Sequence, residues 1–217
     1  MSTRITLIHA TPVAIPPVMD AFAHGWPEVE TVNLLDDALS RDLARTGALD
    51  EAMMKRFETL AAYAMQIGTD AILFTCSAFG EAIEAVAKAA SIPILKPNEA
   101  MFEAALASQG TVGLLTTFQP SVASMEKEFI DMAKQRRSRV QCETLWVPHA
   151  MEALASGDGA THDRLIAEAV PHLAHCDAIM LAQFSMARAQ AAAQQVVAPP
   201  ILTSPASAVA KLKSALS

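Results

Sequence analysis

Cys76 and Ser77 follow the apolar run Asp70-Ala71-Ile72-Leu73-Phe74-Thr75 and precede a helical pattern that starts near Phe79. The run reads as a buried strand, so a thiol and a hydroxyl fall at its carboxyl end, just before a helix amino terminus. In open α/β sheets this edge is where ligands bind. Unpaired backbone N–H groups and the helix dipole favour anions there and lower a thiol's pKa. The chemistry expected is that of a reactive thiolate. The competing expectation is a small buried hydrophobe, the role of most free cysteines.

The same layout recurs. Asp177-Ala178-Ile179-Met180-Leu181-Ala182-Gln183-Phe184-Ser185 places Gln183 where Cys76 stood, at an offset of 107 residues. Pro93-Ile94-Leu95 recurs as Pro200-Ile201-Leu202, and Ile5-Thr6-Leu7-Ile8 falls on Val112-Gly113-Leu114-Leu115, both at the same offset. The chain therefore reads as two similar α/β halves, expected to face each other across a pseudo-two-fold axis with Cys76 and Gln183 opposed across one cleft.

Polar residues cluster at the corresponding strand ends of both halves. They are His9, Thr11, Thr75, Cys76 and Ser77 in the first, and Thr116, Thr117, Gln183 and Ser185 in the second, with Ser121 at a helix start. Small hydroxyls beside helix amino termini suit a carboxylate, which accepts several N–H and O–H bonds. Taken singly, each hydroxyl is explained by N-capping or loop packing; taken together at one sheet edge they point to a site. His9 is the histidine candidate for proton transfer and His149 a lesser one. His162, His172 and His175 lie on or near a helix expected at the surface, and Lys96 with Glu99 reads as an ion pair or a cap.

Strand and helix patterns must position these groups. Strands are expected at Arg4–Ile8, Val29–Leu35, the Cys76 strand, Pro93–Lys96, Thr111–Thr116, Val140–Val147, Ala178–Ala182 and Pro200–Leu202. Helices alternate with them, including one capped by Asp50 and stopped by Gly68, one capped by Thr161 and running to about Ala174, one over Ser185–Val196, and a closing helix from Ser204. Asp36 to Gly47 is polar and reads as an irregular connection, a lid or partner contact. The class is α/β, with two Rossmann-like halves that each carry a mainly parallel sheet flanked by helices and an active site in the cleft between them. The expected boundaries are 1–97, with the closing helix 204–217 packing on it, and 98–203.

The 217 residues carry a formal charge of −7. No basic stripe with interleaved aromatics suggests nucleic acid, no apolar run reaches membrane-spanning length, and no charged-then-apolar leader precedes Ile5. A cytoplasmic protein is expected. Cys76, Cys142 and Cys176 fit no metal spacing and no disulfide is expected; Cys142 and Cys176 read as packing. No glycine-rich phosphate loop appears, which argues against a nucleotide cofactor.

The internal repeat, the Thr75-Cys76-Ser77 strand end and the Thr116-Thr117-x-x-Pro120-Ser121 loop resemble the aspartate/glutamate/hydantoin racemase superfamily, which includes arylmalonate decarboxylase and maleate isomerase. The resemblance covers essentially the whole chain. It implies a site between the halves with a cysteine on either face of the substrate carbon, and no metal or organic cofactor. Cys76 matches the first cysteine, and Gln183 stands in place of the second. Ser77, Thr117, Ser121 and Ser185 match positions near those that hold the substrate carboxylate. An amide cannot gain or lose a proton near neutral pH, so a symmetric two-thiol racemase is disfavoured. Cys76 acting alone as acid or base, Cys76 as a nucleophile, and a second proton from a histidine such as His9 remain open, as does a binding protein without turnover. The expected partner is a small carboxylate or carbonyl compound. A homo-oligomer is also expected, from the apolar helix faces and from the family.

Overall fold

The computed structural model describes residues 2–216. Its first sheet is built on β1 (Arg4–His9) and β3 (Ala71–Phe74), which lie at the centre and are almost wholly buried. Burial on both faces is why they read as continuous apolar runs rather than alternating ones. With β2 (Glu30–Leu35) and β4 (Ile94–Leu95) they form an all-parallel sheet in the order β2-β1-β3-β4.

The second sheet repeats this plan with β5 (Thr111–Thr116), β6 (Gln141–Trp146), β7 (Ala178–Leu181) and β8 (Ile201–Thr203), in the order β6-β5-β7-β8. The repeat extends to register: Ile5 opposite Ala71 becomes Val112 opposite Ala178, and Ile72 opposite Ile94 becomes Ile179 opposite Ile201. Alternate residues of β5 and β7 feed two cores, Leu115, Ile179 and Leu181 one, Val112, Leu114 and Met180 the other, as strand periodicity requires.

The helices are α1 (Ile15–Gly25), α2 (Ala38–Thr46), α3 (Glu51–Gln66), α4 (Gly80–Ala89), α5 (Glu99–Ala105), α6 (Val122–Gln135), α7 (Ala150–Ala155), α8 (Gly159–Ala169), α9 (Gln190–Gln194) and α10 (Ser204–Leu216). Among the described residues none is long and apolar enough to cross a membrane. The Asp50 carboxylate caps α3 by accepting from the Met53 N–H at 2.8 Å, and Gly68, with φ of 77°, closes its far end. Met53, Phe57, Ala61 and Ala64 line the buried face of α3, and the Phe57 ring lies 5.4 Å from that of Phe74 and 4.9 Å from that of Phe79.

The chain divides into two compact units. The first runs to Ala100 and takes in the final stretch from Ala208; the second is Met101–Ser207. Within the first unit, Lys211 of α10 pairs with Glu99 at 2.7 Å and Lys213 donates to the Gly25 carbonyl at 3.0 Å.

Three local expectations are corrected. The polar stretch after Asp36 is not irregular: it forms α2, which buries Leu39 and is stopped by Gly47 at φ 72°. Thr161 is not the cap of α8; the Asp158 side chain accepts from the Thr161 N–H at 3.0 Å, and Pro171 breaks the α-helix into a tighter turn over Val170–Leu173. Ser185–Val196 is not one helix either, but a 3₁₀ winding over Phe184–Ala189 followed by the short α9.

Candidate functional site

In the first unit, the buried β3 delivers Thr75 and then Cys76 to its carboxyl edge, beside the end of β1 at His9. His9 is wholly buried. Its Nε2 lies 2.9 Å from Asn33 Oδ1 and its Nδ1 lies 2.8 Å from Thr75 Oγ1. An amide oxygen only accepts, so Nε2 carries the proton and Nδ1 accepts from the Thr75 hydroxyl. The ring is neutral and both nitrogens are occupied. Burial pushes its pKa below the ordinary histidine value, against the smaller upward pull of Asn33. Thr11 is half-buried and precedes the 3₁₀ turn Pro12–Ala14.

Cys76 is partly buried and packs against the first unit's core. Loss of solvent raises its pKa above the ordinary thiol value, outweighing the Ala78 N–H and the Ser40 hydroxyl beside the sulfur. The expected lowering of the pKa is therefore corrected. The helix that follows does not begin at full strength: Ser77–Phe79 is a single 3₁₀ turn before α4, and desolvation favours the neutral thiol.

Ser40 was not visible in the sequence as a neighbour of the thiol, because α2 was not. Its hydroxyl donates to the Ala10 carbonyl at 3.0 Å. Arg56 of α3 fixes α2 in place, pairing with Asp36 at 2.5 Å and Asp42 at 2.6 Å. Ser77 is exposed, adjacent to the thiol.

In the second unit, β7 delivers Ala182 and Gln183 to the equivalent edge. The Gln183 side chain is tied down on both of its polar atoms. Nε2 donates to Thr116 Oγ1 at 2.6 Å and to Ser121 Oγ at 3.1 Å. Oε1 accepts from the Thr117 N–H at 3.0 Å and from the Thr117 hydroxyl at 3.3 Å. Thr116, Thr117 and Ser121 are thus gathered around Gln183. Ser121 also donates to the Phe118 carbonyl at 2.8 Å. Ser185 is half-buried in the winding that follows Gln183.

The remaining candidates separate. His149 is exposed at the start of α7 with a left-handed φ of 64°. His162 is not a surface residue, as expected, but wholly buried, with Nδ1 2.8 Å from the Asp163 carboxylate. Burial pushes the Cys142 thiol up to about 11 and raises Cys176 as well. Lys96 pairs with Glu84 at 2.8 Å.

The two four-stranded parallel sheets, alike in strand order and register, define a repeated α/β protein. The chain belongs to the Asp/Glu/Hydantoin racemase family, which matches residues 18–212. Solved structures share the fold. An allantoin racemase from Klebsiella pneumoniae superposes with a TM-score of 0.73 at 18% identity, covering 98% of this chain and 87% of that one. An aspartate racemase homologue from Pyrococcus horikoshii gives 0.71 at 13% identity, covering 99% of both. A glutamate racemase from Bacillus anthracis gives 0.69 at 13% identity, covering 99% of this chain and 81% of that one. At these identities the likeness is one of fold. No curated protein matches the sequence.

Proposed function

We propose that the protein is a cofactor-independent enzyme that moves a proton at the carbon beside a carboxylate or related carbonyl group, with Cys76 as its single acid–base residue. The observation that carries this reading is the asymmetry of two repeat-equivalent strand ends, a thiol at one and a fully bonded amide at the other. Family membership supports the reaction class.

The raised pKa makes the neutral thiol the resting form near neutral pH, and a neutral thiol is a proton donor. Cys76 protonates a carbanion or enolate on one face. Decarboxylation needs only that, since breaking the C–C bond to the leaving CO₂ supplies the carbanion's electron pair and solvent then reprotonates the thiolate, whereas two-base racemisation needs a second titratable group. Gln183 cannot be one, since an amide does not titrate in this range and both its N–H groups are already donated. His9 is a poor second source, because both ring nitrogens are bonded and its proton points at Asn33. We assign Ser77, the exposed hydroxyl beside the thiol, to the substrate carboxylate, with the N–H groups of its turn. Thr75 and Thr116 hold His9 and Gln183 in place.

The amide lock also favours a second reading, in which the protein binds a small carboxylate without turnover. The two are separated by incubating small α-substituted carboxylates and carbonyl compounds, aspartate, glutamate, hydantoins and arylmalonates among them, in heavy water and following the carbon-bound proton by NMR. The enzyme reading expects deuterium to enter one of them with wild type and not with Cys76→Ser. Saturable binding with no deuterium entry in any of them establishes the binding protein instead.

A further inference from the structure

The opposite edge of the second sheet carries a group of residues that the strand-end chemistry does not use. Glu143 projects from β6, and His175 and Cys176 occupy the turn that leads into β7, on the other side of β5. The His175 Nε2 lies 2.9 Å from Glu143 Oε2 and 3.8 Å from Cys176 Sγ, and the three ligand atoms all fall within 4.8 Å of one another. One imidazole nitrogen therefore faces both a carboxylate and a sulfur.

We propose that Glu143, His175 and Cys176 form a binding site for a Zn²⁺-class divalent cation that clips β6 to the entry of β7. Thiolate, imidazole and carboxylate together are a borderline-soft donor set suited to zinc or cobalt and poorly suited to magnesium or calcium. Zinc bonds to nitrogen and sulfur of about 2.0–2.3 Å require tetrahedral ligand atoms roughly 3.3–3.8 Å apart. The His175–Cys176 separation already meets that spacing. The Glu143–His175 pair reaches it by a small outward shift of two exposed side chains. Three protein ligands leave the fourth position to water, and the exposed side of the group is where an ion enters.

The first unit shows what the same turn looks like without the donors. Asp70 and Asp177 play one backbone role in the two repeats: each main-chain N–H donates across to the neighbouring strand, Asp70 to Arg4 at 2.8 Å and Asp177 to Thr111 at 2.7 Å. Each carboxylate also accepts a backbone N–H, from Arg4 and Gly110 respectively. At the positions of His175 and Cys176, however, the first unit has Gly68 and Thr69, and in strand register Val32 stands for Glu143. Thr69 spends its hydroxyl on backbone carbonyls. The turn needs neither an imidazole nor a thiol, and the second unit supplies both beside a carboxylate.

The test is titration of the reduced, chelator-treated protein with Co²⁺ and then Zn²⁺, read by absorbance and thermal melting. The expected result is one equivalent of cobalt with a thiolate-to-cobalt charge-transfer band, its displacement by zinc, and a melting temperature raised by either ion. The band should vanish in Cys176→Ser. Affinity should fall by more than about tenfold in His175→Ala and in Glu143→Gln, two exposed substitutions that leave the core untouched. No charge-transfer band in wild type would overturn the proposal. So would a band that survives Cys176→Ser, or wild-type affinity in both surface variants.

Discussion

The carboxyl ends of β3 and β7 are two outcomes of one backbone plan. At the first, Cys76 sits in a partly buried place whose neighbours hold it only loosely, a hydroxyl on α2 and one backbone N–H. At the second, Gln183 is held by four hydrogen bonds to the last residue of β5 and the loop that follows it. Duplication explains why both positions are polar and at a sheet edge. The second position is built for structure: an amide with every donor and acceptor engaged organises Thr116, Thr117 and Ser121, whereas a thiol there would leave the Thr117 N–H without that partner.

Substitutions at the two positions should therefore fail in opposite ways. Cys76→Ser keeps the shape and removes the titratable group, so turnover should fall by about 10²–10⁴-fold, the usual share of a positioned acid or base, with an unchanged melting curve. Gln183→Ala should act on stability first. It strips the partner from the buried Thr117 N–H, at a cost of about 1–3 kcal/mol, measurable by urea unfolding. A stable Gln183→Ala protein with wild-type unfolding would break the contrast.

Much of this contrast was legible in the sequence. The apolar runs before Cys76 and Gln183 and their common offset placed both side chains at strand ends, because buried parallel strands need unbroken hydrophobicity. The bonding of Gln183 was not legible, since Thr116, Thr117 and Ser121 lie more than sixty residues away in the chain. Nor was α2. Leu39 and Leu43 stand one helical turn apart and both pack on the first core, but the Asp and Arg residues around them make the stretch read as a polar loop, and its anchor Arg56 belongs to α3. The direction of the Cys76 pKa went with it, because desolvation depends on which elements cover the thiol.

The α2 cover gives a smaller effect that sharpens the same comparison. Arg56, Asp36 and Asp42 are each about a quarter to a third exposed, so Arg56→Ala should cost no more than about 1 kcal/mol. It should loosen α2 and speed iodoacetamide labelling of Cys76, read by mass spectrometry, without touching Cys142 or Cys176. In the wild type, labelling of Cys76 should rise only as pH climbs above the ordinary thiol range, since it is the thiolate that attacks the reagent and displaces iodide.

The smallest effect concerns His9. The folded protein holds it at a lower pKa than the unfolded chain, so the unfolded chain takes up the proton first as pH falls. Its contribution to stability is complete above about pH 6.5 and drains away below that, toward the folded value. Melting temperatures across this window should decline less in His9→Gln than in wild type.

Whether one proton donor serves one face is read from the stereochemistry of the product. A prochiral malonate-type substrate is converted in heavy water, and the enantiomeric composition of the deuterated product is measured by chiral chromatography. With Cys76 as the one donor, wild type gives a single enantiomer and Cys76→Ser forms none. A racemic product from wild type, or a single enantiomer still formed at the wild-type rate by Cys76→Ser, would contradict that role.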